Sequence, residues 1–269
     1  MPRSTNEAFT TLRFIEAVTL RSFLQPDASW LDEPGSRRVW QTAMVTVIGL
    51  AFYGFTVGWW RSPLMAGYVA VKMPLLVALT LGCNGLLNGL LALLLGTGLG
   101  IRQSFLALLM ATAVSALILG SLAPVTFFLA WNAPVPGTPE ADTAYAAYQV
   151  IHTFLIGFAG VVANSHLYRL LAARAPTRAA ARATLIAWLA GNGFLGAQFS
   201  WVLRPFFGLP GMEVEFLRPQ PLKGNFYETI WGSLVHIAGD GFTAGIWLTL
   251  AIIVIGVPVF SAFRTQPSN

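Results

Sequence analysis

The chain has 269 residues, of which 55% are hydrophobic and only 10% are charged, and its formal net charge is +5. Soluble domains carry about 25% charged residues, so this composition excludes an ordinary soluble fold and indicates an integral membrane protein in contact with a lipid bilayer. The basic residues lie between apolar runs and not in patches with interleaved aromatic residues, which excludes a nucleic-acid-binding protein. The single cysteine, Cys83, excludes an intrachain disulfide and a cysteine-based metal cluster.

Residues 1–38 are predicted to form a cytoplasmic segment that contains an amphipathic helix. Apolar residues recur at roughly helical spacing over positions 6–24, but charged residues stand among them. Such a helix lies on the membrane surface or packs against its own protein, and the pattern fits both. The charges also interrupt the apolar core that a signal peptide requires, so the first span is expected to insert without cleavage.

Residues 39–264 are predicted to form an all-α membrane domain, a polytopic bundle of six transmembrane helices. A helix needs about 20 apolar residues to cross the hydrocarbon core. The predicted spans cover residues 39–60, 69–95, 104–131, 145–168, 183–203 and 242–260. An ordered outer segment, 204–240, separates the last two spans, and within it positions 226–238 are too short to cross and are expected to be interfacial or re-entrant. Residues 265–269 form a tail.

The basic residues set the predicted orientation. Four arginines follow the fourth span within 14 residues, namely Arg169, Arg174, Arg178 and Arg182. Placing this loop in the cytoplasm puts 11 of the 16 Lys and Arg residues on that side and five on the other, as the positive-inside rule requires. The sequence therefore predicts a multi-pass protein of the bacterial inner (plasma) membrane with both termini in the cytoplasm.

Polar side chains occur inside two of the predicted spans. Asn84 and Asn88 are four residues apart in the second span and share one helix face, and the fifth span contains Asn192 and Gln198. They form either hydrogen bonds between helices or a polar pathway. Gly85 and Gly89 form a small-xxx-small pair that lets another helix backbone approach closely.

The histidines are the candidates for a cofactor. His152 and His236 are both predicted in the outer half of the protein, where together they could supply the axial ligands of one haem b. The alternative is that they are hydrogen-bonded or face lipid headgroups. No serine or cysteine nucleophile stands in a recognisable setting and no third metal ligand is in register, so no catalytic or metal residues are assigned and an enzyme is not favoured.

The outer segment contains the candidate residues for binding a partner or a ligand. They are charged, amide or aromatic residues beside several prolines, namely Arg204, Phe207, Arg218, Asn225, Tyr227 and Glu228. One interpretation is a headgroup or solute site at the mouth of the bundle. The other is a loop stiffened by proline that docks a protein neighbour or packs over the helices.

Three short motifs resemble those of a group of uncharacterised bacterial polytopic membrane proteins. They are Lys72-Met-Pro-Leu-Leu, Leu203-Arg-Pro-Phe-Phe-Gly and Gly224-Asn-Phe-Tyr-Glu. The number and size of the spans are also loosely similar to the layout of Yip1-like membrane proteins. Neither resemblance implies an activity.

These observations favour a non-catalytic subunit or scaffold of a membrane complex, which holds other membrane proteins through the outer segment or the basic loop. Sparse intramembrane charge favours it, because ion and proton pathways usually need such charge. Two alternatives remain open. One is a small-solute transporter with a site near the intramembrane amides, and the other is a haem-bearing redox subunit.

Overall fold

The computed structural model describes residues 28–32, 36–208 and 212–228. Every regular element in these ranges is helical. A short 3-10 helix, Ala28–Leu31, precedes five α-helices: α1 (Ser36–Trp59), α2 (Pro63–Leu94), α3 (Ile101–Asn132), α4 (Ala141–Arg174) and α5 (Arg178–Val202).

Local sequence explains where the helices begin. The Ser62 hydroxyl accepts a hydrogen bond from the Met65 amide, and Pro63 occupies the first position of α2, where its missing N–H costs nothing. The Thr177 hydroxyl caps α5 in the same way by accepting from the Ala180 amide. The glycines at 96 and 98, with φ values of 77° and 72°, allow the turn between α2 and α3.

Four helices are long and apolar enough to cross a membrane: α1, α2, α3 and residues Thr143–Arg174 of α4. They indicate a membrane-embedded protein and support four of the six predicted spans. The fifth predicted span coincides with α5, a helix of 25 residues that is not among these four. The sixth span, the N-terminal amphipathic helix, the tail and most of positions 226–238 lie outside the described residues.

All five helices begin before the predicted spans, and α3 and α4 also end after them. α2 begins at Pro63 and not near residue 69, so Lys72 and Pro74 lie inside the helix. α4 covers 141–174 where the prediction was 145–168. The reason is physical: hydropathy marks the part of a helix at hydrocarbon depth, whereas backbone hydrogen bonding continues through the polar interface.

α1 packs closely against α2 and α3 because it presents glycine to them. A Cβ atom on Gly49 would lie 2.5 Å from the carbonyl oxygen of Ala116 in α3, and one on Gly58 would lie 2.5 Å from that of Met65 in α2. On α2, a Cβ on Gly89 would lie 2.7 Å from the Ile101 Cα, so the predicted close approach is found there.

The connections collect at two ends of the bundle. At one end, called the capped end, the Trp60 indole donates to the Pro134 carbonyl at 2.8 Å and Arg61 donates to the Met212 carbonyl at 2.7 Å. Residues 60–62 and 133–140 therefore meet residues 203–208 and 212–228 there. At the opposite, basic end, Arg174 binds Asp32 and the Ala28 carbonyl. This alternation agrees with the predicted topology, and the side that faces the cytoplasm stays a prediction.

Candidate functional site

The capping segment, defined here as residues 203–208 and 212–228, folds back onto the bundle. The fully buried Lys72 amine donates to the Pro205 carbonyl at 2.7 Å and lies 5.1 Å from the centre of the Phe216 ring. Further along, the Gln198 side chain accepts from the Phe226 amide at 3.3 Å, and the Tyr227 hydroxyl donates to the Phe194 carbonyl. The segment is therefore attached to α2 at its start and to α5 near its end.

Beneath the start of the capping segment lies a buried polar cluster between α1, α3 and α4. The Tyr53 hydroxyl and His152 Nδ1 are 2.7 Å apart, and the Tyr148 hydroxyl donates to the Thr56 carbonyl at 2.6 Å. The Phe207 ring covers this cluster, with its centre 5.9 Å from that of His152. His152 Nε2 is buried and has no hydrogen-bond partner among the described residues.

Next to Phe207 lies the outer cavity, of about 590 Å³, which is enclosed by α2, α4, α5 and the capping segment. Its walls are mixed in character. The apolar residues include Met73, Leu76, Ile156, Phe206 and Phe207, and the polar ones are Tyr145, Gln149, Thr153, Ser200 and Arg218. A volume and lining of this kind are typical of a small-molecule site.

The central cavity, of about 380 Å³, adjoins the outer one, and Leu76 lines both. Three amides converge beside it: the Nδ2 atoms of Asn84 and Asn88 lie 3.1 and 3.2 Å from the Oδ1 atom of Asn192, which lines the cavity. This convergence confirms the predicted hydrogen bonds between helices. The Oδ1 atoms of Asn84 and Asn88 are buried without a hydrogen-bond partner among the described residues.

A third cavity, of about 800 Å³, opens between α4 and α5 toward the basic end. It shares Gly160, Asn164 and Leu189 with the central cavity, and Arg169 forms part of its wall. The outer cavity therefore lies along residues 145–156 of α4, whereas the central and third cavities lie side by side along residues 157–169, nearer the basic end.

Arg218 lines the outer cavity, and two further basic residues, Lys72 and Arg204, lie next to residues that line it. The Arg218 guanidinium is near enough to Lys72 and Arg204 to repel both charges. Burial, and then this repulsion, lower the pKa of Arg204. Within the part of the chain that the structure describes, none of the three forms an ion pair, and the hydrogen bond of the Arg218 side chain goes to the Met212 sulfur, a weak acceptor.

The predicted binding residues of the outer segment are distributed over different roles. Arg218 and Phe207 line the outer cavity, whereas Arg204 stacks on the Trp201 ring. Asn225 Oδ1 accepts from the Glu228 amide at 2.8 Å and stabilises the turn that contains Tyr227. Gln198, predicted beside the amides, contacts the capping segment instead, because it lies too far along α5 from Asn192.

The structure describes one of the two predicted haem ligands. His152 is buried against Tyr53, but His236, its proposed partner, lies outside the described residues. Across those residues there is also no group of three or more His, Cys, Asp or Glu side chains that could hold a metal ion.

Sequence reasoning singled out His152 but missed other polar residues of the site, among them Tyr145, Tyr148 and Gln149. Two pairs of polar residues on α4 are each four residues apart, Tyr145 with Gln149 and Tyr148 with His152. This spacing predicts a polar stripe along one face of the helix. The role of Lys72 carried no such signal. The structure buries its amine under the capping segment.

Together these features define a helical membrane protein whose bundle contains a series of partly polar cavities under a folded cap. No protein-family model, curated protein or solved structure matches the chain.

Proposed function

We propose that the protein is a membrane carrier for a small amphiphilic solute, which binds under the capping segment and passes between α2, α4 and α5 toward the basic end. The observation that carries this proposal is that three adjoining cavities, which share lining residues, lie between the capped end and the basic end of the bundle. If the predicted topology holds, the solute moves between the outer face and the cytoplasmic face of a bacterial inner membrane.

The contacts of the capping segment indicate that it covers the cavities of the bundle and does not serve as a docking surface for a partner protein. Phe207 faces His152, Phe226 lines the outer cavity, and Tyr227 is bound to α5. Aromatic anchors of a protein interface must be free to enter a partner, and these three are engaged within the chain. For this reason we prefer a carrier to the scaffold that the sequence favoured.

The amides of Asn84, Asn88 and Asn192 place hydrogen-bonding groups in the middle of an otherwise apolar path. Buried polar atoms without a hydrogen-bond partner cost free energy and are rare in folded proteins. The Oδ1 atoms of Asn84 and Asn88 are of this kind. With Asn192 and Thr80 at the cavity wall, they allow a polar group of the solute to exchange hydrogen bonds as it passes.

Cysteine accessibility tests whether the central cavity is reached from water. Ser115 lines the central cavity and neither of the others, so Ser115→Cys in a Cys83→Ser background places one thiol there. We expect this thiol to react with a small, charged, membrane-impermeant thiol reagent added to intact membranes.

The unmodified protein is the matched control, because its single thiol, Cys83, is exposed on α2, a helix long and apolar enough to span a membrane, where we expect it to meet lipid. It should not react, since a thiolate does not form in hydrocarbon. An unreactive Ser115→Cys thiol with reagent applied to either side would rule out a solute path through the bundle.

A further inference from the structure

We infer that the outer cavity selects an anionic amphiphile, with a carboxylate or phosphate group bound at Arg218 and a hydrocarbon portion against the apolar wall. This inference rests on the proposed carrier and names the class of its solute. It is carried by the charge and the lining of the outer cavity.

Among the described residues that line the outer cavity, Arg218 is charged and none is a carboxylate. Lys72, Arg204 and Arg218 lie at this end of the bundle, and among the described residues no carboxylate pairs with any of them. Like charges that lie close together at one end of the bundle raise the positive potential there. An anion relieves this repulsion, a neutral ligand does not, and a cation adds to it.

The donors available at the cavity fit a carboxylate or a phosphate. Arg218 lines the cavity, and a guanidinium presents paired N–H groups that match two oxygens of either anion. Among the described residues, only a thioether sulfur, the Met212 Sδ atom at 3.0 Å, accepts a hydrogen bond from its side chain. Tyr145 and Gln149 line the same cavity and can complete the coordination of a headgroup.

The remaining wall fits a hydrocarbon chain. Leu76 and Ile156 line the side of the cavity toward the bundle, and Leu76 also lines the central cavity. A ligand whose headgroup sits at Arg218 therefore directs its apolar part toward the interior, where burial of each CH₂ contributes about 0.8 kcal/mol. A small inorganic anion would leave this apolar surface unfilled.

The test compares two ligands that differ in the headgroup, oleate and oleyl alcohol, on protein in nanodiscs of neutral phosphatidylcholine. Empty nanodiscs correct for partition into lipid. We expect oleate to bind the protein about tenfold more tightly than the alcohol, because a hydrogen-bonded charge adds at least that factor. Arg218→Gln should abolish the preference, Arg218→Lys should retain part of it, and Arg178→Gln, at the basic end, should leave it unchanged.

A second arm identifies the source of the anion. Phosphatidylglycerol in the nanodisc should displace oleate if a membrane lipid is the solute, and should not if the solute is a free carboxylate. Equal binding of oleate and oleyl alcohol to the wild-type protein would overturn the inference, as would a folded Arg218→Gln variant with full preference. Neither result affects the cysteine test, which addresses the path alone.

Discussion

Gly58 illustrates how single residues set the spacing of the bundle. Its Cα faces the first turn of α2, where a Cβ would lie 2.5 Å from the Met65 carbonyl oxygen and 2.7 Å from the Ala66 Cα. Both atoms belong to the backbone, so neither can move aside without displacing a helix. The close approach of α1 and α2 therefore depends on this glycine.

Gly58→Ala should destabilise the protein by about 1–3 kcal/mol, the usual cost of adding a methyl group to a packed interface. Gly82→Ala is the matched control, because a Cβ there meets nothing within 4 Å. It should be neutral or stabilise by up to about 1 kcal/mol through helix propensity. Midpoints of thermal unfolding in one detergent measure both, and equal midpoints for the two variants would disprove the proposed contact.

The bond between Tyr53 and His152 gives a second prediction for single residues. Tyr53→Phe leaves His152 Nδ1 buried without its partner at 2.7 Å, which should cost about 1–3 kcal/mol. Adding His152→Leu removes the unpaired group, so the double variant should lose less stability than the sum of the single variants. Strictly additive losses of stability in the same unfolding assay would show that the two side chains are not coupled.

The sequence alone predicts the hydrogen bonds of the intramembrane amides but not the contact of Lys72 with the capping segment. The spacing of Asn84 and Asn88 predicts one shared helix face, and a partner on another helix followed from the need to satisfy both in lipid. The partner of Lys72, the Pro205 carbonyl, is 133 positions further along the chain. No local pattern encodes such a contact, because it depends on how the capping segment folds back.

At the scale of elements, the capping segment should loosen when the Lys72 contact is removed. Lys72→Met deletes a charge-assisted hydrogen bond to the Pro205 carbonyl, so local opening of the segment should become about tenfold more frequent. The rate of tryptic cleavage at the exposed Lys223 in purified protein measures this opening. Arg178→Met, at the other end of the bundle, should leave the rate as in the wild type, and an unchanged rate in Lys72→Met would contradict the attachment.

Helix positions followed from hydropathy more reliably than helix ends. The runs that predicted the first four spans all lie within or across α1 to α4. The ends of the helices were not predicted, as residues Pro63 to Tyr68 of α2 illustrate. Their helical structure depends on capping by Ser62 and on packing against α1, not on hydrophobic length.

At the scale of the whole molecule, the two ends of the bundle should face opposite sides of the membrane. The exposed Pro139 lies in the connection at the capped end, and the exposed Pro176 lies in the connection at the basic end. In a Cys83→Ser background, Pro139→Cys should be labelled by an impermeant reagent from outside the cell, and Pro176→Cys only after the membrane is opened. Labelling of both thiols from the same side would contradict the arrangement of the helices.

The most direct test of the proposed carrier is the native mass of the protein, extracted from its own membrane in a mild detergent. One chain has a mass of 29.0 kDa. We expect an added mass equal to one small anionic amphiphile, which is retained by Arg178→Gln and lost from Arg218→Gln. Recovery of the chain without a bound small molecule, either bare or only with other polypeptides, would contradict the carrier. It would favour the scaffold instead.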